Sequence, residues 1–208
     1  MTPLNQERMV YANVISTMAY MLRHDSLTGL LTRDAVINEI DEQILEDQPV
    51  GVAILDMDAF KLVNDELGHE RANTLLGEFG QHMTSNFRRE SDAVSHQTLR
   101  APSEDDLENG IHTGRYGGDE FIMAFNLSDR EKPDGLNPTE RMDANSEYVG
   151  EVIKQFVKRQ DEDIKKLGFN VSVGAAVRLS GDEEVATDLI RKADANMYVN
   201  KAAHKSDG

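Results

Sequence analysis

The chain has 208 residues, with 22 Lys and Arg against 38 Asp and Glu, a formal charge of −16, and no cysteine. So acidic a surface repels a polyphosphate backbone, which argues against general nucleic-acid binding and leaves any nucleotide site dependent on metal ions or locally placed lysines. Disulfide scaffolds, cysteine-ligated zinc and thiol nucleophiles are excluded, and no apolar run reaches the ~18 residues of a membrane helix or reads as a signal peptide; the expectation is a cytoplasmic protein without direct membrane contact.

Residues 7–24 have helical periodicity, with Tyr11, Ile15, Met18 and Leu22 forming a coiled-coil-like seam that Val10, Val14 and Met21 widen. This helix either folds back on its own domain or serves as a short dimerisation stalk. Gly29 breaks the pattern within residues 25–33, after which Thr32 or Asp34 caps a helix to about Glu46 with Val36, Ile37, Ile40 and Ile44 on one side. Val50-Gly-Val-Ala-Ile-Leu55 suits a central strand covered on both faces, stopping at Asp56-Met57-Asp58. A long helix is predicted over 68–89, with Leu75, Leu76, Phe79 and Met83 inward. The polar stretch 90–112 reads as a loop or insertion, with the insertion proper at about 93–112.

Residues 113–126 predict a hairpin, two strands flanking Gly117-Gly118 as a two-residue turn with positive φ values. A loop at 127–142, a helix at 143–166, a strand at Phe169–Leu179 and a helix at 185–203 complete the order α-α-β-α-β-β-α-β-α. That order implies an α+β sheet with helices packed on it rather than a doubly wound nucleotide fold.

Asp56 closes an apolar strand and Asp119 leaves the glycine turn. A carboxylate at the end of a hydrophobic run costs several kcal/mol unless a cation pairs with it. Two such groups on neighbouring strand ends make a Mg²⁺ site, since Mg²⁺ takes one or two carboxylates plus phosphate oxygens, and the Met57 carbonyl could add a ligand. The alternative is that Asp56 caps a turn and Asp119-Glu120 is a polar hairpin tip. The segment from Asp58 through Phe60 and Lys61 to Asn64 presents backbone N–H groups and an ammonium to phosphate oxygens; otherwise Lys61 is a solvated loop lysine. Lys201 and Lys205, four apart on the last helix, either converge on a triphosphate tail or are exposed. His69, after Gly68, reads as structural, and the other histidines lack metal-ligand spacing.

Arg115-Tyr-Gly-Gly-Asp-Glu-Phe121 resembles the signature of GGDEF domains, the diguanylate cyclases. Further segments follow the family in order: Asp25-Ser-Leu-Thr-Gly-Leu30 with Arg33, Asp56 to Lys61 with Asn64-Asp65 and Gly68-His69, Val171-Ser-Val-Gly174, and Ala193-Asp194 with Met197-Tyr198 and Lys201. The resemblance implies a palm-like, ferredoxin-like α+β fold with an antiparallel-containing central sheet flanked by helices. It divides the chain into a stalk helix, 1–24, and a cyclase domain, 25–208. It also implies a homodimer in which each chain holds one GTP on two Mg²⁺ ions, with Mn²⁺ as the alternative ion, and makes cyclic di-GMP and pyrophosphate. Within that scheme Asp56, the Met57 carbonyl and Asp119 hold metal, and Asp119 with Glu120 beside it takes the hydroxyl proton. Lys61 offsets developing charge, Lys201 and Lys205 hold the phosphate tail, and Phe60, Asn64, Asn73, Gly117 and Gly118 line the substrate. An upstream sensory domain is a further expectation.

Departures from the family pattern carry information. Gly68-His-Glu-Arg-Ala72-Asn73 stands where the family has Gly-His-x-x-Gly-Asp. An Asn offers one acceptor and a donor NH₂ where a carboxylate accepts twice from guanine, so relaxed base choice and hybrid cyclic dinucleotides, or a non-catalytic nucleotide-binding module, are the alternatives. Lys205 replaces a usual Arg, and Thr32 a usual Asn. Arg89-Glu-Ser-Asp92 matches the family's product-inhibition pattern, but the inserted segment separates it from Arg115. The family's strand after the final helix is not evident.

Overall fold

The computed structural model describes residues 3–87, 111–128 and 135–206. Arg89, Asp92 and most of the 93–112 insertion lie outside these residues, as does the side chain of Lys205.

In chain order the elements are α1 (Pro3–Arg23), β1 (Leu31–Thr32), α2 (Arg33–Leu45), β2 (Val50–Asp58), α3 (Phe60–Phe87), β3 (Ile111–Gly117), β4 (Glu120–Asn126), α4 (Pro138–Arg159), α5 (Glu162–Lys166), β5 (Asn170–Arg178) and α6 (Ala186–Ser206). They form a mixed five-stranded sheet in the order β1-β3-β4-β2-β5. Only the edge pair β1–β3 is parallel. The run β2-α3-β3-β4-α4-β5 has the split β-α-β order of ferredoxin-like folds, so the expected α+β class holds.

β2 lies between β4 and β5, antiparallel to both. Its position explains its composition. Ala53, Leu55 and Met57 face a core built with Leu75, Phe79 and Met83 of α3 and Val152, Ile153 and Phe156 of α4. Val52 and Ile54 face a second core with Val36 and Ile40 of α2 and Leu189, Ile190 and Ala193 of α6. A strand covered on both faces has no reason to alternate. α6 lies so close to β5 that a Cβ at Gly174 would overlap Met197 N and Ala193 O.

Several expected boundaries move. β2 runs three residues beyond Leu55 because Asp56, Met57 and Asp58 still pair with β5. The expected helix start at 68 holds, because α3 is two helices joined across a kink at Gly68 (φ 85, ψ 159); the preceding helical piece from Phe60 was not expected. So Phe60, Lys61 and Asn64 belong to a helix N-terminus, not a loop. α4 starts at Pro138 because Asn137 forms a capping box with Glu140, and Pro at the first helical position needs no N–H partner. Asp161 caps a separate α5 and thereby divides the single helix expected over 143–166. Two-residue β1 leaves no period to read. The substitution at Thr32 acquires a role here, since its side chain accepts from Ala35 N as the N-cap of α2, a task Thr and Asn perform alike.

The seam of α1 points away from the domain. Tyr11, Ile15, Met18 and Leu22 are 67%, 67%, 59% and 80% exposed, so α1 is not folded back along that face. No helix among the described residues is long and apolar enough to cross a membrane.

Candidate active site

The turn of the β3–β4 hairpin differs from the expected Gly117-Gly118 pair. Gly117 pairs with Glu120, so Gly118 (φ 56) and Asp119 form the tip, and the register shifts between Arg115 and Gly117. Arg115 fixes this tip by donating from Nε and Nη2 to Gly118 O at 3.0 and 2.8 Å. Its Nη1 lies 3.3 Å from Asp25 Oδ2, in the turn that follows α1. Burial disfavours charge on Asp25, but Thr28 Oγ1, Thr28 N and the Arg115 guanidinium hold its carboxyl below the ordinary range.

Sheet register brings the acidic groups together. Asp56 on β2 stands opposite Glu120 on β4 and Ser172 on β5, and Met57 N–H donates to Asp119 O at 3.2 Å. Asp56 and Asp119 therefore share one end of the sheet. The charge of Asp56 acts on Asp119. Burial pushes Asp119 above the usual carboxylate value, with its own backbone N–H opposing and the charge of Asp56 adding to the rise. Burial also raises Glu120, as do the charges of Asp56, Asp119 and Asp194.

Lys201 reaches across from α6 into this cluster. It pairs with Asp56 Oδ1 and lies 3.0 Å from Asp58 Oδ1, while Ser172 Oγ donates to Asp58 Oδ2 at 2.7 Å. Burial works against the ammonium, but the bonds to Asp56 and Asp58 raise its pKa above the ordinary lysine value. Lys201 is thus a partner of the strand-end carboxylates, where the sequence suggested either a phosphate ligand or an exposed lysine.

Among the described residues, no three His, Asp or Glu side chains form a ready-made metal cage. The donor set still fits a hard divalent cation. Two half-buried carboxylates at one strand end favour a positive ion between them, and Mg²⁺ completes its shell with water and phosphate rather than protein.

Phe60, Lys61 and Asn64 occupy the first turns of α3, immediately after Ala59 (φ 60) leaves β2. The N–H groups of a helix's first turn lack intrahelical acceptors and suit an anion; Lys61 is exposed beside them. Asn64 Oδ1 accepts from His69 Nδ1 at 2.7 Å. Further along α3, Asn73 is exposed and lines an open groove of about 560 Å³ with Leu27, Glu70, Thr74, Gly77, Glu78 and Gln81. Gly117 and Gly118 are exposed at the hairpin tip.

Sequence reasoning missed Asp58, Ser172, Leu27 and the Arg115–Asp25 pair. Asp58 was within reach: two residues after Asp56 on a continuing strand, it shares that residue's face. Nothing local signals the other three.

The chain belongs to the GGDEF family: a family model described as "Diguanylate cyclase, GGDEF domain" matches residues 22–97 and 104–207. The chain is 28% identical over 188 residues to the uncharacterized protein Rv1354c of Mycobacterium tuberculosis, covering 89% of this chain and 25% of that protein. It is 26% identical over 186 residues to the response regulator PleD of Caulobacter vibrioides, covering 88% and 34%. The chain therefore spans only a quarter to a third of these relatives' length. Among solved structures, the coiled coil and GGDEF domain of DgcB from Caulobacter crescentus, in complex with c-di-GMP, matches with a TM-score of 0.69 at 21% identity, over 96% of this chain and 91% of that one. At that identity the match speaks to fold.

Proposed function

We propose that the domain is a diguanylate cyclase: it condenses two GTP molecules into cyclic di-GMP, with release of two pyrophosphates, in a homodimer dependent on Mg²⁺. The observation that carries the reading is the convergence of Asp56, Asp119 and Glu120 at one sheet end, where the charge of Asp56 adds to the raised proton affinity of the other two. Asp56, Asp119 and the Met57 carbonyl would hold the cation, which when bound supplies charge neutralisation for phosphoryl transfer. Asp119, with its raised proton affinity, accepts the proton of the 3′-hydroxyl as that oxygen bonds to the partner's α-phosphorus and the bond to pyrophosphate breaks. The α3 N-terminus and Lys61 receive the phosphate tail, joined by Lys201 and, on the resemblance, Lys205. Phe60, Asn64, Asn73, Gly117 and Gly118 surround the nucleoside. The exposed α1 seam would join two chains of residues 1–24, placing two 25–208 domains face to face.

Incubating the protein with GTP, ATP or both plus Mg²⁺ and resolving products by mass tests this reading. Cyclic di-GMP as the dominant product, at a specific activity that rises with protein concentration, supports it. GTP binding without pyrophosphate release at any concentration would instead identify a nucleotide-binding module.

One observation favours a second reading, relaxed base choice. The Asn73 side chain stands exposed at the groove mouth, and an amide can serve a guanine or an adenine edge. We expect Asn73→Asp to tighten GTP binding by about tenfold, the scale of one charge-assisted hydrogen bond. Titration of both proteins with GTP checks this; unchanged or weaker binding removes base contact from Asn73.

A further inference from the structure

Successive residues of an α-helix turn by 100°, so residues five apart stand about 140° apart and do not meet on a straight helix. Asn64 and His69 are five apart on α3, yet Asn64 Oδ1 and His69 Nδ1 are 2.7 Å from each other. Gly68 makes this contact geometrically accessible. Its φ of 85° with ψ of 159° interrupts the helix one residue before His69, in a region of backbone space that is essentially restricted to glycine. No heavy atom lies within 4 Å of a Cβ placed there, so the requirement for glycine is conformational rather than steric.

The contact fixes a chemical orientation. A neutral amide carries an acceptor oxygen at one end and two N–H donors at the other. With Oδ1 held by the His69 Nδ1 proton, Asn64 turns its Nδ2 donors toward whatever occupies the space before it. His69 is exposed, so it contributes little to the core. Its ring bonds to Asn64, whereas Lys201 pairs with Asp56 and Asp58.

We propose that His69 is a positioning residue for base recognition: it locks the Asn64 amide as a donor, which selects an acceptor atom on the purine edge. This rests on the reading that Asn64 meets the base of a purine nucleoside triphosphate. His69 touches no substrate. It acts through Asn64, and it removes the alternative in which the amide rotates to present its oxygen to an exocyclic amine.

Dissociation constants for GTP and three analogues with Mg²⁺ test the proposal, each analogue removing or weakening one acceptor: 7-deaza-GTP, 3-deaza-GTP and 6-thio-GTP. In the wild-type protein one analogue should bind about three- to tenfold more weakly than GTP, the range of a single neutral hydrogen bond. His69→Leu should reduce that penalty to less than about twofold, because the freed amide rotates. His69→Asn, whose Nδ2 takes the place of the ring Nδ1, should restore it. A merely structural His69 would weaken GTP and all analogues alike. The same penalty in His69→Leu as in the wild type, or no penalty for any analogue in the wild type, overturns the proposal. Binding with a His69-dependent penalty but no cyclic product supports the proposal and sinks the cyclase reading, whereas a protein that binds no purine triphosphate ends both.

Discussion

Asp119→Ala is expected to lower pyrophosphate release from GTP by about 10³-fold or more, the scale of losing a group that stabilises the developing charge. The same substitution should leave the fold intact. Asp119 sits at the hairpin tip, half-exposed, and its backbone acceptance from Met57 N–H survives a change of side chain. Removing the carboxylate also lifts from Glu120 one of the charges that raise its proton affinity, so the hairpin should if anything be relieved. Pyrophosphate release measured beside a thermal melt separates the two effects. A melting temperature within a few degrees of the wild type together with retained turnover would refute the assignment of Asp119 to the reacting centre.

Gly174→Ala should produce the largest loss of stability, about 3 kcal/mol or more. The added methyl would occupy the positions of Met197 N and Ala193 O, both backbone atoms of α6, which cannot turn aside as a side-chain end can. Relief requires the helix to lift from β5. That lift would disturb Leu189, Ile190 and Ala193 in the second core and carry Lys201 away from Asp56. Gly150→Ala is the control. It lies within α4, where an added Cβ would meet no heavy atom within 4 Å, and there alanine should stabilise by up to about 1 kcal/mol. Denaturant midpoints of the two variants should move in opposite directions; a loss under about 1 kcal/mol at Gly174 would show that α6 yields cheaply.

Four of the five strands and most helices were legible because their signals are local. The apolar run of β2, the glycines of the hairpin and the inward row of Leu75, Leu76, Phe79 and Met83 each declare themselves within one element. The boundaries that moved did so through contacts a sequence does not display: pairing with β5 extended β2, and a second helical piece from Phe60 meets the expected helix at the Gly68 kink. The site divides in the same way. Asp56 and Asp119 could be named as strand-end carboxylates, and the family resemblance put them in one site. That Lys201 bonds to Asp56 and Asp58, and that Arg115 ties Gly118 O to Asp25, depends on groups 145 and 90 positions apart. The metal ligation, the base contacts and the dimer rest on resemblance and on the proposals above.

The register of β2 has a consequence for how the molecule comes into being. Its two ladder partners lie far away in the chain, Glu120 opposite Asp56 on one side and Ser172 on the other, so closing them requires large loops to be ordered first. No hairpin or isolated helix can pre-form the acidic end of the sheet. Nucleotide competence therefore depends on both long-range pairings being closed, and a fragment lacking β5 would lack it.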